Sequence, residues 1–153
     1  LFGYSPRMRL DLVVNTFVVK ALMEREIIVF GGEQWRPFLH IDDACNFYLK
    51  ALELSFFERK ILNIGGINIR ILDLANIIKR NLNCSVKIIK EIKDPRNYRV
   101  DSSLAKKLLK IDFKKSIEDG IKEIKEAYEN RRFDPKSPST SNFEWLKLNS
   151  KRE

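Results

Sequence analysis

Arg36 is the residue whose setting most suggests binding chemistry. It lies in the stretch IIVFGGEQWRPFLHIDDA, Ile27 to Ala44. The apolar run Ile27 to Phe30 reads as a short buried strand. Gly31-Gly32 ends it, because residues without Cβ let the backbone turn where others clash. Arg36 and Pro37 follow, then the short apolar segment Phe38 to Ile41. Asp42 or Asp43 is then placed to cap a helix whose apolar face is Ala44, Phe47, Tyr48, Ala51 and Leu52. The order strand, turn, arginine, strand, helix sets a permanent cation at the edge of an apolar wall. That suits a ligand carrying an aromatic base and a phosphate. On composition alone, a surface cation beside a turn is the simpler reading.

Other chemistry is not assembled in the sequence. A dinucleotide site needs a glycine-rich turn between a strand and a helix, and Gly31-Gly32 and Gly65-Gly66 lack both the third glycine and the following helix. A tyrosine activated by a lysine one helical turn later also fails, since Met8, Leu52, Ser102 and Arg132 stand four residues after Tyr4, Tyr48, Tyr98 and Tyr128. The single histidine, His40, lies in an apolar segment with no serine or cysteine arrangement to serve, so a structural hydrogen bond is its expected role. The pair Asp42-Asp43 reads as a cap and not as a metal site. No catalytic residue and no metal ligand is assigned. Arg7, Arg9, Arg36, Arg96 and Arg99 remain as candidates for binding an anion.

The elements that would carry these residues alternate between strand and helix. Asp11 is the expected N-cap of a helix running to about Glu24, with Val14, Phe17, Val18, Ala21 and Leu22 on one face. Asn15 sits beside that face: buried, it needs partners from the protein or a ligand; at the rim, water suffices. Phe56 and Phe57 are expected to end the second helix. Strands are expected at Lys60 to Ile64, turned by Gly65-Gly66, and at Asn68 to Arg70 and Ser85 to Ile89. A third helix shows Ile71, Leu74, Ala75, Ile78 and Leu82 on one face. After the polar loop Glu91 to Asn97, Asp101 or Ser102 starts a short helix with Leu104, Leu108 and Leu109. Ser116 and Asp119 resemble a capping box for a helix packed through Ile117, Ile121, Ile124 and Tyr128. Residues 1–130 therefore read as one α/β region, and residues 131–153, rich in Pro, Ser, Asn and charge, as a mobile C-terminal tail in which Phe143, Trp145 and Leu146 are placed to dock.

The chain has 153 residues, enough for one domain with a real core. Its 29 Lys+Arg against 21 Asp+Glu give a net charge of +8, which favours anionic partners. The lysines are dispersed at helical spacing rather than gathered into a patch, so nucleic acid is not the expected partner. Cys45 and Cys84 are isolated thiols that fit a reducing cytoplasm. No stretch is long and apolar enough to span a bilayer, so a cytoplasmic protein is expected. The chain starts at Leu1, in what reads as the end of a strand, the pattern of a piece of something longer.

Four segments in order, SPRMRLDLVVNTFV, VFGGEQWRPFLHIDDA, LNIGGIN, and RNYRVDSSLAKKLL with SIEDGI, resemble the C-terminal half of extended short-chain dehydrogenases/reductases. These are the NAD-dependent nucleotide-sugar epimerases and dehydratases, and the resemblance runs from Leu1 to about Tyr128. It implies the C-terminal, substrate-binding part of an extended Rossmann-type fold. The N-terminal Rossmann half, with its glycine-rich NAD turn and Tyr-x-x-x-Lys pair, is absent, so NAD would be bound mainly there. By the same resemblance Asn15 bonds the diphosphate or nearby sugar at the start of its helix. Ile28, Val29 and Phe30 line the nucleobase, and Arg36 clamps the diphosphate. Asp94 and Arg96 lie in the loop that carries a second cationic contact and a ribose or base contact, and Arg7 and Arg9 face the sugar pocket. A homodimer of the full-length protein is also implied. The alternatives are a non-catalytic nucleotide- or protein-binding module and a basic nucleic-acid-binding protein.

Overall fold

Two hydrophobic periods decide which residues go inside. The computed structural model describes residues 1–54, 61–91 and 94–150. In chain order these form α1 (Val13–Glu24), β1 (Glu26–Phe30), β2 (Trp35–Phe38), α2 (Ile41–Leu52), β3 (Ile67–Arg70), α3 (Ile71–Leu82), β4 (Ser85–Ile89), α4 (Ser103–Leu109), α5 (Ile117–Glu129), a single 3-10 turn at Pro138–Thr140, and α6 (Asn142–Asn149). β1 pairs in parallel with β4 from Glu26–Ser85 to Phe30–Ile89. β2 pairs antiparallel with β3 from Trp35–Arg70 to Phe38–Ile67. An isolated parallel bridge joins Phe2 to His40.

The core lies where α1, α3 and α5 pack on one another and on β1. Val14, Val18, Ile27, Val29, Leu74, Ile78, Ile121 and Ile124 form it with Phe2 and Met8. The helical stripes read from the sequence supply most of this surface: Ile71, Leu74, Ala75, Ile78 and Leu82 are all buried. So are Ile117, Ile121 and Ile124 on α5, whose Ser116–Asp119 capping box forms as expected.

Several boundaries differ from expectation, each for a local reason. Asp11 does not cap α1: Leu12 is its N-cap without a side-chain bond, because Asp11 is taken by Arg9 at 2.6 Å. Neither Asp42 nor Asp43 caps α2. His40 does so, its Nδ1 accepting from the Asp42 N–H at 3.2 Å. This leaves Nε2 to donate to Glu123 at 2.9 Å, so the histidine has the structural role expected of it. Asp43 is instead buried and accepts the backbone N–H groups of Lys114 and Lys115, each at 3.0 Å. Of the apolar face expected on α2, Ala44 and Phe47 are buried while Tyr48 and Leu52 are exposed. The stripe is narrower because α4 is the helix packed against α2. In α4, Ala105 and Leu109 are buried and Leu104 is exposed.

Residues 61–66 carry no regular structure, so the strand expected up to Ile64 is not formed there, while the one expected at Asn68 to Arg70 is β3. Gly66 accounts for this: its φ is +68°, and a Cβ there would lie 2.1 Å from the Phe38 carbonyl oxygen. The chain must complete that close turn before it can pair with β2. Lys60, Phe56 and Phe57, to which expectations were attached, lie outside the described residues. In the C-terminal segment, residues 137–150 form the 3-10 turn and α6 and bond to residues 7–11. Phe143 and Leu146 stay exposed.

Asp43 is the buried charge on which the approach to α5 depends. Asp43→Ala orphans two backbone donors, and we expect it to cost about 3 kcal/mol in urea unfolding. A loss below about 0.5 kcal/mol would mean those donors find water instead.

Candidate functional site

Strand alternation turns one wall of a cleft out of the core. In β1, Ile27 and Val29 are fully buried, whereas Ile28 is half-buried and Phe30 exposed. Successive side chains point to opposite faces, so Ile28 and Phe30 line a cleft of about 600 Å³ while Val29 faces the core. The nucleobase wall expected from Ile28, Val29 and Phe30 is thus reduced to the first and last. The α1 side is lined by Leu12, Thr16, Phe17 and Lys20, and the β2 side by Arg36 and Phe38.

β2 carries Arg36 on its buried side, at 8% exposure. A guanidinium so far out of water needs an acceptor, and Asp94 provides one at 2.7 Å. The Trp35 carbonyl accepts from the other nitrogen at 2.8 Å, and the Tyr98 ring lies 5.3 Å from the guanidinium carbon. Arg96 grips the same carboxylate with two bonds of 2.9 Å. Arg96 first, with its own N–H, and then Arg36 hold the Asp94 carboxyl well below the usual range.

The loop that brings these residues in is pinned to β2 and β3. The Trp35 N–H donates to Asn97 Oδ1 at 2.9 Å, and Arg99 stacks 3.8 Å over the Trp35 ring. Asn68 and the backbone of Val100 exchange two bonds of 2.9 Å. Gln34 spans the glycine turn, accepting from Gly32 N–H and donating to the Phe30 carbonyl. Gly31 and Gly32 take φ values of +71° and +109°, as their turn requires.

The structure therefore brings Ile28, Phe30, Arg36, Asp94 and Arg96 to one cleft and sets four other candidates apart. Asn15 is buried, its Oδ1 accepting from Gly3 N–H at 3.3 Å and its Nδ2 donating to the Arg9 carbonyl at 3.0 Å. Its partners come from the protein. Val29 is in the core. Arg9 pairs with Asp11, whose carboxyl Arg9 and the Asn142 N–H hold below its usual range. Arg7 turns to the C-terminal segment, bonding the Ser139 carbonyl and Asn142 Oδ1. Lys20, Thr16 and Tyr98 line the cleft but were not singled out. Lys20 falls one helical turn after Thr16, a spacing that points both at one surface. It has no carboxylate partner among the described residues. The α1 N-terminus, with no acidic residue in its first turn, adds its dipole to the same side.

His40, Asp42 and Glu123 are close enough to share an ion, but the Lys115 ammonium already sits 2.6 Å from Glu123 and 3.3 Å from Asp42. A dinucleotide cradle does not fit either glycine pair. A Cβ on Gly32 would meet Leu72 Cβ at 3.1 Å, and one on Gly66 the Phe38 backbone. Both approaches are filled by protein.

With this geometry in view, comparisons with known proteins become informative. Residues 1–65 match the NAD dependent epimerase/dehydratase family. That segment, 65 of the 153 residues, is what is similar to the family. It is 31% identical over 126 residues to an uncharacterized UDP-glucose epimerase of Bacillus subtilis, covering 77% of this chain and 39% of that protein. It is 29% identical to UDP-glucuronic acid decarboxylase 1 of Arabidopsis thaliana over 84% of this chain and 31% of the relative. UDP-glucuronic acid 4-epimerase from Bacillus cereus, solved with UDP-glucuronic acid and NAD, superposes with a TM-score of 0.69 at 28% identity. That match covers 83% of this chain and 44% of the other. The chain thus spans about two-fifths of the curated relative first named. Its α/β fold is part of the extended Rossmann-type dehydrogenase/reductase fold. No helix among the described residues is long and apolar enough to cross a membrane.

The Asp94 shift sets a pH dependence. Its pKa is lowered on folding, so the stabilisation is fully present above the ordinary value of 3.8 and is lost as pH falls towards the folded value. The urea midpoint gap between the parent and Asp94→Asn should therefore be widest near neutrality and shrink as pH drops below about 4. A gap independent of pH would show that the carboxylate charge is not what matters.

Proposed function

We propose that this chain binds the nucleoside diphosphate portion of a nucleotide-sugar and holds the sugar for an NAD-dependent epimerase, dehydratase or decarboxylase reaction. The observation that carries the reading is the cleft itself: Ile28 and Phe30 on one apolar wall meet a buried, fork-bearing Arg36. The cleft is lined by three cations, Lys20, Arg36 and Arg96, and two carboxylates, Asp11 and Asp94. Both carboxylates are already paired with arginines. Asp11 is paired with Arg9 and Asp94 is shared by Arg36 and Arg96, so the surplus positive charge lies on that arginine pair and on Lys20, a point charge suited to a phosphate.

The chain's own chemistry is orientation. Aromatic and aliphatic side chains exclude water from one face of a base, while Arg36 and Lys20 fix the diphosphate. The attached sugar is then confined in position and angle, and that confinement lowers the entropic cost of a later reaction step. In this reading NAD is held by other residues than these. The relatives' substrates, UDP-glucuronic acid among them, suggest a uridine nucleotide as the probe.

Calorimetry with UDP tests the assignment. Arg36→Ala should weaken binding by about 1.5–3 kcal/mol, the worth of a charge-assisted hydrogen bond. Arg36→Lys, which keeps the charge and loses the fork, should recover only part. Equal affinity in all three proteins would remove Arg36 from the site. Absence of UDP binding by the parent would remove the proposal.

A further inference from the structure

The C-terminal segment reaches back across the chain to the first cleft wall, and the contacts are specific. The Leu10 N–H donates to the Thr140 carbonyl at 2.7 Å. Arg7 donates from Nε to the Ser139 carbonyl at 3.3 Å and from Nη2 to Asn142 Oδ1 at 3.0 Å. Its guanidinium also lies 4.9 Å from the centre of the Trp145 ring. The Asn142 N–H donates to Asp11 Oδ2 at 3.3 Å, and Thr140 is 7% exposed.

Asp11, Leu12 and Val13 line the cleft, so residues 7–11 link the strap to the wall. The same loop is tied to α1 from the other side. Thr16 Oγ1 donates to the carbonyls of Leu10 and Leu12, and Asn15 holds Gly3 N–H and the Arg9 carbonyl. α1 has no side-chain cap. Its entry angle therefore depends on these loop contacts.

We infer that the strap Ser137–Asn149, gripped by Arg7 and Asp11 through Ser139 and Asn142, is a positioning element that fixes loop 7–12 and with it the α1 wall of the cleft. Arg7 and Asn142 act through Asp11 and Leu12 and not by touching a ligand. The affinity part of this inference rests on the cleft being the nucleotide-sugar site. The coupling of strap to wall does not.

Asn142→Pro is the selective test. Asn142 is the first residue of α6, where proline is tolerated because its missing N–H is unpaired within the helix. Ser141 before it is already extended, φ −123° and ψ 128°, as a residue preceding proline must be. The variant deletes the bond to Asp11 and the acceptor for Arg7 while leaving α6 able to form. A chain ending at Asp134 is the companion; it retains Phe133, which packs on the core.

Two readouts apply to both variants: hydrogen exchange at the Gly3 and Thr16 amides, and the Kd for UDP. We expect exchange to accelerate about tenfold or more at both amides, and Kd to rise about threefold to tenfold through lost preorganisation. Acceleration confined to residues 137–149, with Gly3 and Thr16 unchanged, overturns the inference. Faster exchange at Gly3 and Thr16 with unaltered Kd upholds the coupling and overturns its bearing on affinity. If the parent itself fails to bind UDP, the proposed function falls, and the exchange at Gly3 and Thr16 alone decides the coupling.

Discussion

The desolvated guanidinium of Arg36 is the constraint on which the cleft depends. A charge at 8% exposure is costly unless it is paired and hydrogen-bonded. Its partner, Asp94, lies 58 residues further along the chain. The pairing obliges the loop at 94–100 to lie against β2, and that loop is the cleft's far wall. Arg96, by contrast, is largely exposed, and an exposed ion pair contributes little by itself. Its effect is to hold Asp94 ionised in place, so that Arg36 keeps its acceptor.

The arrangement moderates the positive charge of the cleft before any ligand arrives. An unopposed cluster of arginines would repel itself and attract any anion. Here each acid on the lining is matched to an arginine, and the net charge is shared by Lys20 and by the second arginine on Asp94. A ligand phosphate then meets a flexible ammonium and a fixed fork. The fork supplies geometry and the ammonium supplies reach. The apolar side, Ile28 and Phe30, comes from the same strand that sends Ile27 and Val29 into the core. One short strand therefore serves both stability and the site.

The likeness to the epimerases and dehydratases and the physical reading meet at this cleft. The residues that match the epimerase/dehydratase family, 1–65, include those that build β1, β2 and α2. Among them, His40 and Asp43 have structural duties: one ties α2 to Glu123 on α5, the other gathers the backbone at residues 114–115. Motif membership alone therefore does not make a residue part of the site.

The sequence by itself determined α3 and α5, since a stripe of 3.6-residue period such as Ile71, Leu74, Ala75, Ile78 and Leu82 can be buried on only one side. It also determined the capping box at Ser116, the turn at Gly31-Gly32 and the strand before it. Those signals are local, complete within a few residues. The tertiary structure alone decided which charges are partnered. Arg7 has the same composition signature as Arg36, yet it turns to Ser139 and Asn142, because the C-terminal segment folds back over it. Asn15 proved to be bound by backbone from residues 3 and 9, and Lys20 proved to face the cleft. A residue's partner across tens of positions is set by how elements pack, and no periodicity encodes it.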